Sequence, residues 1–177
     1  GGSLAGSTAE YLATPKHWGQ AMKHPYKHEW LAGMYKHLEG CLGYGSYGLP
    51  SIPPPGVTVL PAVIALRNKM NELNQLEERK VRVCLNGSMQ IQGLDYDESY
   101  APTILETTIR IQICISLMLG LPNWHLDVSN AFQSTPAKPK EGKRLWMKCF
   151  PEYLMWLRDR HPELWSQVEE KAKSLPA

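Results

Sequence analysis

Apolar residues recur at helical spacing from residue 15 to residue 40. Trp18, Ala21 and Met22 form one group, and Trp30, Met34 and Leu38 a second, so this segment reads as helix. Pro25 precedes the second group and suits a helix start. Residues 43–56, GYGSYGLPSIPPPG, are too rich in Gly and Pro for regular structure and mark a surface connection. The period then changes to two. VTVLPAVIALRNK (Val57 to Lys69) and RKVRVCLNGS (Arg79 to Ser88) read as strands. The polar, turn-sized NELNQLEE between them predicts a hairpin.

LDYDESYAPT (Leu94 to Thr103) reads as an acidic loop, and ETTIRIQICISLMLGLP as a helix that Thr107 or Thr108 can cap. Ile109, Ile113 and Leu117 make an apolar stripe that Ile111, Ile115 and Met118 widen, which predicts a largely buried helix. Gly120 and Pro122 end it. In NWHLDVSNAF, Trp124, Leu126 and Val128 alternate with His125, Asp127 and Ser129, the pattern of a strand. Pro136 to Gly142 reads as a turn and RLWMKCF as a short strand. EYLMWLRDRH reads as an amphipathic helix that Pro162 interrupts, and ELWSQVEEKAKS as a polar helix. The order predicts an α+β fold, a sheet with a helix on one face.

Composition narrows the class. The chain has 177 residues, 43% of them apolar, and a formal net charge of +2. That is one domain's worth of ordinary globular chain, and any nucleic-acid reading must rest on where the cations fall. Cys41, Cys84, Cys114 and Cys149 form no CxxC pair, which fits reduced thiols better than a disulfide framework or a zinc site. Residues 1–14 have neither the basic n-region nor the apolar core of a signal peptide and are expected to be disordered. The longest apolar run, Ile113 to Leu121, is far short of the roughly 20 residues of a membrane span. These features predict an intracellular chain.

Period two puts Arg67 and Lys69 on one face of the first strand. It puts Lys80 and Arg82 on one face of the second, with Val81, Val83 and Leu85 opposite. In the right register four cations would line one side of the ribbon, a face suited to phosphates; a solvated edge is the alternative. His24 and His28 have a metal spacing, but Pro25 lies between them and neither His17 nor His37 completes a motif. Asp95, Asp97, Ser99 and Glu106 fit part of an EF-hand frame, yet Tyr100 stands where Gly is needed; loop ordering is the better role for the acidic loop.

Asp127 is unusual, because strands avoid Asp. A turn former or a hydrogen-bonded cap is the ordinary reading. Its direction away from Trp124, Leu126 and Val128 would also let it reach an open cleft. Two-metal phosphoryl chemistry uses a carboxylate on a rigid strand end, and Phe132 follows where its ring could pack under a bound sugar.

KVRVCLNGSMQIQGLDYDESYAPTILETTIR resembles the reverse transcriptase segment of copia-type LTR retrotransposons. That pattern is a K-A-R-L-V block, a Gly, a Gln, then G-I-D-Y-x-E-T-F-A-P-V and T-x-R. Lys80, Arg82, Gly87 and Gln90 match its first part. Gly93, Asp95, Tyr96, Glu98, Ala101, Pro102, Thr108 and Arg110 match its second. LDVSNAF is similar to Q-x-D-V-x-x-A-F, the first catalytic motif of the palm, and HWGQAM…W resembles W-x-x-A-M…W. The likeness covers roughly residues 15 to 150, and its order and spacing are specific.

The resemblance implies part of a right-hand polymerase fold, the fingers and the start of the palm, with a mixed or antiparallel sheet and packed helices. The organisation would be a disordered stretch at 1–14, a partial reverse transcriptase domain at 15–150 and a helical segment at 151–177. Asp127 would be the first metal aspartate, for Mg2+ or Mn2+, and the Val128 carbonyl a further ligand. Phe132 would be the steric gate at the dNTP sugar. Lys80 and Arg82 would grip the triphosphate, and Arg67 and Lys69 the template or triphosphate. Partners would be an RNA or DNA template–primer and dNTP, with no membrane; the location would be cytoplasmic, in a particle, or nuclear. The chain departs from the pattern at Leu85, Asn86 and Ser88, where a basic lead and an aromatic are usual. Its aspartates are Asp95, Asp97, Asp127 and Asp159, with no adjacent pair to complete the two-ion site. The expectation is a fragment of an RNA-directed DNA polymerase without activity alone, with a non-catalytic nucleic-acid-binding remnant or an inert truncated piece as alternatives.

Overall fold

The computed structural model describes residues 11–93, 95–96, 103–124, 126–128, 131 and 145–174. Their elements run α1 (Trp18–Ala21), α2 (Lys27–Gly43), β1 (Val59–Leu60), β2 (Ala62–Met70), β3 (Leu76–Leu85), a 3-10 turn (Gly87–Met89), α3 (Glu106–Met118), β4 (Trp146–Met147), α4 (Pro151–Arg160) and α5 (Pro162–Lys173). Helix and strand are mixed, and each of the two sheets has two strands.

The 15–40 region is two helices, as the position of Pro25 requires. His17 caps α1, its Nδ1 accepting the Gln20 N–H at 3.2 Å. The apolar spacing in α2 places Trp30, Met34, Leu38 and Cys41 on one buried stripe. They pack with Val81 and Val83 of β3 and with Phe150, Tyr153, Trp156 and Leu157. Leu164, Trp165 and Val168 of α5 close over this core. Residues on both sides of position 150 therefore share one core. Proline at the first position of α4 and of α5 starts each helix where a backbone N–H would have no partner anyway.

Pro61 divides the first strand-like run. It has no N–H to give a ladder, so Val59 and Leu60 pair in parallel with Trp146 and Met147, while Ala62 begins the antiparallel pairing with β3. The hairpin turn is shorter than the eight-residue segment 71–78 predicts. Asn71 Oδ1 accepts the N–H groups of Leu73 and Gln75, and Asn74 adopts φ 59°, a conformation Asn tolerates. The turn closes by Gln75, and Leu76, Glu77 and Glu78 join the strand.

Two expectations fail downstream. Among the residues of α3, Ser116 alone is buried; Ile113 is 45% and Leu117 74% exposed. An apolar stripe selects a helix face for burial but does not supply the surface that covers it, and no described element lies against this one. The predicted strand around Asp127 is not formed: residues 126–128 have no regular structure, and Trp124 and Leu126 are 84% and 86% exposed. Alternation cannot hold a strand whose N–H and C=O groups lack a neighbouring ladder. Nor do Thr107 and Thr108 cap α3, because they lie inside its first turn; Leu105 occupies the cap, without a side-chain bond. No helix among the described residues is long and apolar enough to cross a membrane.

Candidate functional site

The hairpin register decides the geometry of the cations. Arg67 lies directly opposite Lys80, Ala65 opposite Arg82, and Lys69 opposite Glu78. Residues directly opposite in an antiparallel pair share a face, so Arg67, Lys69, Lys80 and Arg82 line one side of the ribbon. Val81 and Val83 turn to the core on the other side. Arg67, Lys69 and Arg82 are exposed and Lys80 is half-buried.

The four cations are not equivalent. Lys69 Nζ pairs with Glu77 at 3.0 Å, and Lys36 of α2 pairs with Glu78. Lys36 holds the Glu78 carboxyl below its usual range, and Lys80 and Lys69 act in the same direction. Both acidic partners therefore sit at the turn end of the ribbon. Arg67, Lys80 and Arg82 have no ion-pair partner among the described residues and stay available to an anion. Arg67 and Lys80 come closest, because they are a direct cross-strand pair.

Arg79, a cation outside the basic face, points the other way and is buried. Its Nε donates to Glu29 at 2.6 Å, one terminal nitrogen to Asn68 at 3.3 Å and the other to the Tyr11 carbonyl at 2.8 Å. Its guanidinium lies over the rings of Tyr11, Tyr26 and Trp30. Its place on the strand is the available signal: it shares the parity of Val81 and Val83. The bonds from Arg79 and from Asn68 to the carbonyls of Tyr11 and Leu12 tie part of the expected disordered stretch to the hairpin.

The outer side of β3 is held by α2 and the loop after it. The Val83 N–H donates to His37 Nε2 at 3.0 Å, and the Val83 carbonyl accepts the Tyr47 hydroxyl at 2.9 Å. Burial, then the nearby thiol of Cys41, pushes the Tyr47 phenol well above its ordinary pKa.

Of the residues expected to open the palm, the structure describes Asp127 and Val128. Asp127 and Val128 are exposed, outside any helix or strand. Phe132 lies outside the described residues, as do His125, Ser129, Asp97 and Ser99. Among the described residues no three His, Cys, Asp or Glu side chains come together as a metal-holding group. Asp95 orders its own loop instead, accepting the Ile91 N–H at 2.8 Å. His24 sits at the α1–α2 junction, its Nδ1 accepting the Tyr26 N–H.

The chain is 34% identical over 113 residues to the retrovirus-related Pol polyprotein from transposon RE2 of Arabidopsis thaliana, covering 64% of this chain and 8% of that protein. It is 32% identical over 103 residues to the Pol polyprotein from transposon RE1 of the same plant, covering 58% and 7%. To that from transposon TNT 1-94 of Nicotiana tabacum it is 28% identical over 118 residues, covering 67% and 9%. The chain thus spans less than a tenth of the length of these relatives. No family model matches it, and no solved structure does. By these alignments the chain is similar to a short segment of the copia-type, retrovirus-related Pol polyproteins of plant transposons.

Proposed function

We propose that this chain is a reverse transcriptase segment, the fingers and the opening of the palm, whose β2–β3 ribbon binds the phosphates of template or dNTP. The observation that carries the reading is the register of the ribbon. Arg67, Lys80 and Arg82 share one side of the ribbon and have no ion-pair partner among the described residues; Lys80 and Arg82 lie in the stretch that resembles the reverse transcriptase block, and Arg67 lies just upstream of it. Guanidinium groups bind phosphate oxygens with charge-assisted, often bidentate hydrogen bonds, and three cations on a rigid hairpin are spaced by the pleat to follow a backbone. In the intact polymerase that this reading implies, the primer 3′-OH attacks the α-phosphate of a dNTP, the α–β phosphoanhydride bond breaks and pyrophosphate leaves. In this reading Arg67, Lys80 and Arg82 contribute phosphate contacts to that reaction.

Fluorescence anisotropy with a labelled oligo(dT)/poly(rA) duplex tests this. Binding is expected to weaken steeply with salt. Replacing Arg67, Lys80 and Arg82 together by Ala is expected to lower the salt slope by about one for each phosphate that is no longer neutralised. The same protein should give no primer extension with Mg2+. Salt-independent binding, or a triple variant that binds as well as the parent, would remove the hairpin from the site. Extension that Asp127→Asn abolishes would show that the chain is a polymerase by itself.

A further inference from the structure

The two outer edges of the β2–β3 ribbon are treated differently. The β3 edge is covered at Val83 and at Arg79. Both backbone groups of Val83 are taken by side chains, from His37 and Tyr47. Further along, α2 lies so close at Gly33 that an added Cβ would sit 2.3 Å from the Arg79 carbonyl oxygen. Because Val83 turns its N–H and C=O away from β2, Ile64 opposite it turns its own away from β3. The period of two gives Ala62, Leu66 and Asn68 the same outward direction. None of these outward groups has a backbone partner among the described residues. A nine-residue strand without an internal proline thus presents a bare ladder, the kind of edge that takes up another strand.

The side chains say which strand. On the solvent side the edge carries Arg67 and Lys69; on the core side it carries the half-buried Ile64 and Leu66. A second copy pairing here would bring two pairs of cations together on one face, an arrangement that blocks self-pairing. An incoming strand with carboxylates on one face and apolar side chains on the other would meet both requirements. Strands pair at a spacing of about 4.8 Å, so a carboxylate opposite Arg67 is within ion-pair reach. Arg67 has no ionic partner among the described residues, and the incoming apolar residues would extend the surface of Ile64 and Leu66.

We propose that the free edge of β2 docks an extended peptide strand of alternating acidic and apolar residues. This goes beyond phosphate binding, because its recognition rests on the outward backbone of Ile64, Leu66 and Asn68, which nucleic acid on the ribbon's face would leave untouched.

The test uses an isotope-labelled sample of the full chain and a synthetic, end-capped peptide of alternating Glu and Val, about eight residues long, the reach of an edge strand. A Lys–Val peptide of the same length is the control. The Glu–Val peptide is expected to slow amide exchange at Ile64, Leu66 and Asn68, and the Lys–Val peptide to leave it unchanged. The double variant Arg67→Glu, Lys69→Glu should bind roughly tenfold more weakly, with its amide spectrum reporting that it folds. If it does not fold, the comparison of the two peptides on the parent chain decides. Binding without exchange protection in β2 overturns the proposal, as does equal binding of the two peptides. Protection of the same amides on concentrating the chain alone would assign the edge to a second copy and overturn it too.

Discussion

At His37 a single proton decides a backbone hydrogen bond. Its Nε2 accepts the Val83 N–H and lies 3.5 Å from the Cys41 Sγ. Only an imidazole unprotonated at Nε2 can accept; the imidazolium would turn a donor toward a donor. Burial holds the His37 pKa below its ordinary value of 6.5, and the Arg82 guanidinium pushes the same way. The unfolded chain therefore binds this proton more readily than the folded one, so His37 lends stability at neutral pH that is lost as pH falls through the unfolded and then the folded pKa. We expect the urea midpoint to drop between about pH 7.5 and pH 5.5. In His37→Gln, whose amide oxygen accepts at any pH, the drop should be smaller by the worth of one hydrogen bond, about 1 kcal/mol. Contributions shared by parent and variant cancel in the comparison. Equal pH slopes for parent and variant would mean that the Val83 bond does not sense this proton.

Among the elements, the approach of α2 to β3 has the tightest tolerance. An alanine at Gly33 would place its Cβ 2.3 Å from the Arg79 carbonyl oxygen and 3.1 Å from Val81 Cγ2. Alanine favours a helix interior over glycine by about 1 kcal/mol, but a backbone oxygen inside a paired strand cannot swing aside as a side chain can. Overpacking of this kind costs about 1–3 kcal/mol, so Gly33→Ala is expected to lower the urea midpoint, and a midpoint at or above the parent's would show that the helix has room to move. This contact was not legible in the sequence, where Gly33 is one glycine in a helical pattern. What was legible is whatever depends on period alone: the stripe of Trp30, Met34 and Leu38, and the common face of Arg67, Lys69, Lys80 and Arg82. Periodicity says which residues share a face. It does not say where a turn ends, which Asn71 and Asn74 settle by local hydrogen bonding and conformation. Nor does it say whether a face finds a partner, and so the same kind of reasoning succeeded for α2 and failed for α3.

Over the whole molecule, apolar surface is divided unevenly. The core of α2, β3, α4 and α5 takes Trp30, Met34, Leu38, Trp156 and Leu157 fully out of water. Ile109, Ile111, Ile113, Ile115 and Leu117 of α3, with Leu121, Trp124, Leu126 and Val128 beyond it, remain exposed. Asp127 stands in this uncovered stretch. The sequence marked it out by residue type, but its setting depends on a surface that the described residues do not provide. Exposed apolar side chains in this number favour association. The chain is therefore expected to self-associate with rising concentration in sedimentation velocity and to bind a hydrophobic dye in its folded state. Ile113 and Leu117 are four residues apart, on one side of α3. The double variant Ile113→Lys, Leu117→Lys should shift the chain toward monomer and reduce dye binding. Because neither side chain is buried, its thermal unfolding midpoint should stay close to the parent's, as for surface substitutions that cost within about 0.5 kcal/mol. A parent that stays monomeric up to its solubility limit, or a variant that unfolds markedly earlier, would mean that α3 is covered in solution by part of the chain itself.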